Sequence, residues 1–97
     1  MNEQVVSTAR EVLTQYPVKR AALFGSAARG EMTGQSDIDM LVEFLPHSRG
    51  LDFFGLRVDL EEALGCPVDL ITWSALSKSK PGFRQSVESE ARMIYEY

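Results

Sequence analysis

Apolar residues near the start of the chain recur at helical spacing: Val5, Val6, Ala9, Val12, Leu13 and Tyr16, with Pro17 closing the run. Such a stripe marks a helix with one buried face, and proline cannot continue it. The spacing predicts a helix over 3–16. Ala21-Ala22-Leu23-Phe24, stopped by Gly25, reads as a short buried strand. Ser26 to Gly30 then reads as a helical turn capped by Ser26, and 32–36 as a polar loop.

The pattern next alternates. Ile38, Met40 and Val42 fall on one side of an extended segment, predicting a second strand over 38–44 that Pro46 ends. Residues 51–64 carry Phe54, Val58 and other apolar positions on a wide face, a helix closed by Gly65. A third strand is expected over 68–73, a short turn at 74–76, a polar hinge at 77–82 and a helix over 83–91. Met93 to Tyr95 reads as a terminal edge strand. The order predicts an α/β fold, a small sheet of three or four strands flanked by helices. If Gly25-Ser26, after the first strand, and Asp37, opening the second, share a site, those two strands run antiparallel and the sheet is mixed, consistent with their short connection.

Composition narrows the class. Ninety-seven residues with 44% apolar and 25% charged content suit one domain with one modest core. The net charge of −4 argues against nonspecific nucleic-acid binding, which needs a basic face. The adjacent Lys19-Arg20 reads as the solvated edge of a strand. The single Cys66 permits no intrachain disulfide, and with one His and one Cys a zinc site is improbable. No apolar run reaches the roughly 18 residues of a membrane span, so a soluble protein is expected, and the lone Cys66 suits a reducing cytoplasm.

Candidate chemistry lies in three acids. Asp37 and Asp39 are one residue apart, so on a strand both can face one point. Asp69 interrupts Val68-Leu70-Ile71, where a charge is costly if the strand is central and acceptable if it is an edge. No Lys or Arg lies within five residues of Asp69, nor between Gly30 and Ser48. A divalent cation would neutralise all three, and oxygen donors suit Mg²⁺ or Mn²⁺. Gly25 lets a phosphate approach the backbone, and Ser26 adds a hydroxyl. Arg29 can touch that phosphate or pair with Glu31, the second, supporting role being preferred. Glu31 stands where a P-loop needs lysine, and the Asp-x-Asp lacks the Gly and Glu of an EF-hand, so both those readings fail. Two metals, a triphosphate and an attacking hydroxyl, with Asp69 as a possible proton acceptor, make a coherent site.

The combination Gly25-Ser26-x-Ala28-Arg29-Gly30, then Ser36-Asp37-Ile38-Asp39-Met40-Leu41-Val42, then Val68-Asp69-Leu70 resembles the DNA polymerase beta-like nucleotidyltransferases. The resemblance runs over residues 20–72 and in element order over nearly the whole chain. It implies that Gly25 and Ser26 hold triphosphate, while Asp37, Asp39 and Asp69 bind two Mg²⁺ ions. In size the chain is most similar to the minimal nucleotidyltransferases (MNT proteins), whose usual partner is a helical HEPN protein. That resemblance implies an antitoxin in a hetero-oligomer, transferring AMP from ATP to a tyrosine of an RNA-cleaving HEPN toxin. A template-dependent polymerase is disfavoured by the acidic charge.

Two other functions remain open on the sequence. An antitoxin could neutralise by masking, using Phe53, Phe54, Phe83, Trp73, Tyr95 and Tyr97, although Phe54 and Phe83 are expected in the core. A catalytic subunit for a small-molecule acceptor would need a separate substrate-binding subunit.

Overall fold

The computed structural model describes residues 3–30 and 37–97. The expected loop at 32–36, together with Glu31, lies outside them. Helix α1 (Glu3–Leu13) buries Val6, Ala9, Val12 and Leu13. It ends earlier than the apolar stripe suggested. Gln15 and Tyr16 donate to carbonyls three residues back, a tightened last turn, and Pro17 bars Tyr16 from continuing the helix.

Strand β1 (Val18–Phe24) is longer than the apolar run. It begins at the buried Val18 and carries Lys19 and Arg20 inside it. Lys19 is exposed as expected. Arg20 is half-buried instead, stacked 3.9 Å over the Trp73 ring and paired with Glu43. Helix α2 (Gly25–Arg29) follows directly, with Phe24 rather than Ser26 at its N-cap position. Strand β2 (Ile38–Phe44), helix α3 (Gly50–Leu64) and strand β3 (Val68–Thr72) come next. The backbone N–H of Arg49 donates to Asp52 at the start of α3, and Gly65 in a left-handed conformation closes it. Helices α4 (Trp73–Ser77) and α5 (Pro81–Glu90) and strand β4 (Arg92–Glu96) complete the chain. Trp73 therefore opens a helix rather than ending a strand: the Thr72 side chain accepts from the Ala75 N–H and caps the turn.

The sheet is mixed, in the order β3-β2-β1-β4. β1 pairs antiparallel with β2 and with β4, and β2 pairs parallel with β3 through α3. Strand alternation then builds two cores. On one face Ala21, Leu23, Ile38, Met40, Val42, Val68 and Leu70 pack against α1 and α3 through Leu13, Leu56 and Leu60. On the other face Ala22, Phe24 and Leu41 meet Leu76 of α4 and Val87 of α5. The odd positions of β2, Asp39 included, belong to this second face. Because β3 is an edge strand, Asp69 is exposed rather than buried in a central strand. Its charge costs little where it stands.

Phe54 and Phe83 also depart from expectation, being 59% and 48% exposed. Leu51, Phe54 and Val58 recur at helical spacing along the solvent side of α3, while Leu56 and Leu60 hold its buried side. The wide apolar face is thus two faces, of which one faces water.

Candidate active site

The register sets the site. Phe24 lies opposite Asp39 across the β1–β2 pair, so the turn after Phe24 arrives beside that carboxylate. Gly25 starts this turn with φ +66°, a conformation that side chains resist. A Cβ on Gly25 would collide with Oδ2 of Asp39. Both demands make the position a glycine. Ser26 follows in the first turn of α2, half-buried.

Asp39 and Asp69 are partners in the parallel β2–β3 ladder. Adjacent strands run about 4.8 Å apart, and in-register side chains share a face. The start of β3 is fixed from two sides: Glu61 accepts from the Val68 N–H at 3.0 Å, and the Pro67 carbonyl accepts from the Ile38 N–H at 3.0 Å. Asp37 is exposed just ahead of β2. Burial pushes the Asp39 carboxyl up, and the charges of Asp69 and Asp37 push it further. Arg29 pulls it back down, and Glu90 adds a weaker upward push. The structure thus gathers Gly25, Asp37, Asp39, Asp69 and Arg29 into one electrostatic neighbourhood.

Arg29 donates to Glu90 at 2.9 Å, and Glu31, the partner expected from the sequence, lies outside the described residues. Glu90 also accepts from the Gly25 N–H at 3.3 Å. Sequence reasoning missed this residue. A signal was present: Glu90 is an acid in the last turn of α5, where the helix dipole disfavours negative charge.

The donors are all oxygens, a set suited to Mg²⁺ or Mn²⁺. Among the described residues, no three His, Cys, Asp or Glu side chains gather closely enough to hold a metal ion by themselves. The acids form an open half-site instead. Mg²⁺ commonly binds through one or two carboxylates, with substrate phosphates supplying further oxygens. Burial and the neighbouring acids, which together raise the Asp39 carboxyl, are both offset by a bound cation, so the residues fit the group. A cleft of about 560 Å³ lined by Glu43, Phe44, Thr72, Trp73, Ser74 and Ser77 lies at the far, carboxyl end of β2 and β3, away from the acids.

Residues 6–94 match the family described as a nucleotidyltransferase domain. The chain belongs to that family. It is 37% identical over 81 residues to the protein adenylyltransferase MntA of Thermococcus cleftensis, an alignment covering 84% of this chain and 79% of that one. It is 46% identical over 65 residues to a Methanocaldococcus jannaschii protein provisionally named a protein adenylyltransferase, covering 67% and 70%. A solved structure provisionally named a minimal nucleotidyltransferase superposes with a TM-score of 0.74 at 33% identity, covering 93% of this chain and 92% of that one. The fold is also that of a toxin–antitoxin complex solved with AMP-PNP, at a TM-score of 0.71 and 23% identity, covering 100% and 75%. The four-stranded mixed sheet is therefore the nucleotidyltransferase fold, and the chain is a homologue of MntA. No helix among the described residues is long and apolar enough to cross a membrane.

Proposed function

We propose that residues 1–97 form a single minimal nucleotidyltransferase domain that transfers AMP from ATP to a tyrosine hydroxyl of a HEPN-type partner, and that it acts as that toxin's antitoxin in a cytoplasmic hetero-oligomer. The observation that carries the reading is the in-register Asp39–Asp69 pair set against the Gly25 turn. Homology to MntA and the likeness to solved toxin–antitoxin complexes support the reaction and the partner. In this reading Gly25, Ser26 and Arg29 hold the triphosphate, and Asp37, Asp39 and Asp69 hold two Mg²⁺ ions, a role Mn²⁺ can also fill. When bound, the metal neutralises phosphate charge and makes the hydroxyl a better nucleophile. The tyrosine oxygen bonds to the α-phosphorus, the bond to the β-phosphate oxygen breaks, and pyrophosphate leaves. Asp69, at the open edge of the sheet, takes the hydroxyl proton.

Intact-mass spectrometry of the HEPN-type protein, after incubation with this chain, ATP and Mg²⁺, tests the reading. Mass gains of whole AMP units are expected, lost with Asp37→Asn/Asp39→Asn. A stable complex with no mass gain would favour neutralisation by masking, a reading that draws on the exposed Leu51, Phe54 and Val58 of α3.

A further inference from the structure

Arg29 is bonded to Glu90 at the turn whose Gly25 packs directly against the Asp39 carboxylate, so both charges lie within electrostatic reach of Asp39. Glu90 reaches this point from the last turn of α5, and its second oxygen takes the Gly25 amide. One carboxylate thus ties α5 to both ends of the short α2. Both side chains are part-exposed, at 45% for Arg29 and 31% for Glu90, so the pair is screened by solvent yet geometrically defined.

A guanidinium prefers a carboxylate fork, and this one has Asp39, the in-register neighbour of Asp69, within electrostatic reach as an alternative to Glu90. Bound across Asp39 and Asp69, it would take the position a divalent cation needs. A negative charge at the end of α5 is unfavourable for that helix on its own, which points to a gain elsewhere. We propose that Glu90 is the positioning residue of the site: it tethers Arg29 so that the guanidinium does not close over Asp39 and Asp69, and it fixes the Gly25 turn. This inference rests on the nucleotidyltransferase reading. It assigns Glu90 no contact with substrate.

The test is a double-mutant cycle read by Mn²⁺ binding, followed by electron paramagnetic resonance without nucleotide, on wild type, Glu90→Gln, Arg29→Gln and the double variant. Gln keeps the shape of Glu and an oxygen that can accept from the Gly25 amide. Glu90→Gln is expected to weaken Mn²⁺ binding roughly fivefold, the scale of coupling between contacting residues. Arg29→Gln should then strengthen binding several-fold more in the Glu90→Gln background than in wild type. Glu90→Asp, which keeps the charge, should restore part of the affinity. Strictly additive effects would overturn the tether while leaving the metal site standing. A wild-type chain that binds no Mn²⁺, or binds it equally well after Asp39→Asn, would remove the metal site and the tether with it. Thermal melts on the wild type and every variant separate misfolding from loss of the tether.

Discussion

Gly25 is moulded to Asp39: the carboxylate fills the space that any side chain at position 25 would need. The same residue holds φ +66°, so its replacement is penalised twice. Gly65 provides a control within the chain, because it has φ +73° but open space around its absent Cβ. Gly65→Ala is expected to cost about 1 kcal/mol from backbone strain alone. Gly25→Ala should cost about 1–2 kcal/mol more, since Asp39 must also move, and should abolish nucleotidyl transfer. Urea denaturation of the two variants gives the difference directly. Equal costs would mean that Asp39 gives way freely.

The raised Asp39 carboxyl makes a signed prediction. Its folded state holds the proton more tightly than the unfolded chain, whose ordinary value is 3.8. The folded protein therefore binds more protons in the window above 3.8, and stability falls as pH rises through it. Asp39→Asn removes this dependence. The variant is expected to match wild type at low pH and to become the more stable protein at neutral pH without metal. Added Mg²⁺ should narrow the gap by stabilising wild type alone. Denaturation curves between pH 3.5 and 7.5, with and without Mg²⁺, check each part.

Much of this site is written in local sequence, because its parts sit at element boundaries. Phe24-Gly25 ends a strand, and Asp39 falls on the face opposite Ile38 and Met40, so alternation alone assigns its direction. A site shared by Gly25, after the first strand, and Asp37, before the second, requires those strands to run antiparallel, and the observed register agrees. The rank of β3 does not follow. A five-residue apolar strand reads the same at the centre or the edge of a sheet, and only the strand order β3-β2-β1-β4 shows Asp69 to be at an edge. Phe54 was misread for a related reason. An apolar run on a helix does not say which side meets the sheet, and α3 turns Leu56 and Leu60 inward instead. Glu90 lies 61 residues from Arg29, a separation that no local pattern spans.

The two sides of α3 should respond very differently to truncation. Leu56 is fully buried, and Leu56→Ala is expected to cost about 2–5 kcal/mol. Phe54 is 59% exposed and gives up chiefly its edge-to-face contact with Phe53, at 5.7 Å between ring centres. Phe54→Ser should therefore cost less than about 1.5 kcal/mol. Denaturant midpoints of the isolated chain decide the matter. In the masking reading, Phe54→Ser would also weaken binding of the partner while leaving the fold intact.

Tyr16 closes the turn after α1 by donating its hydroxyl to Asp59 of α3, and Gly55 lies beneath the ring. A Cβ on Gly55 would come within 3.0 Å of the Tyr16 oxygen, too close unless the ring shifts. The bond to Asp59, then burial, pushes the Tyr16 hydroxyl from 10.0 up to about 12. The folded protein thus keeps a proton that the unfolded chain releases, so this contribution is complete below pH 10 and is lost as pH rises toward 12. Tyr16→Phe should lower stability at neutral pH by about 1–2 kcal/mol, the range for a hydrogen bond to a charged group that is partly solvated. Gly55→Ala should produce a similar loss by displacing the ring. In an ultraviolet titration of the wild type, the tyrosinate that appears last should vanish in Tyr16→Phe and move to lower pH in Gly55→Ala. A late tyrosinate that survives Tyr16→Phe would assign the raised group elsewhere and break the link between these two helices.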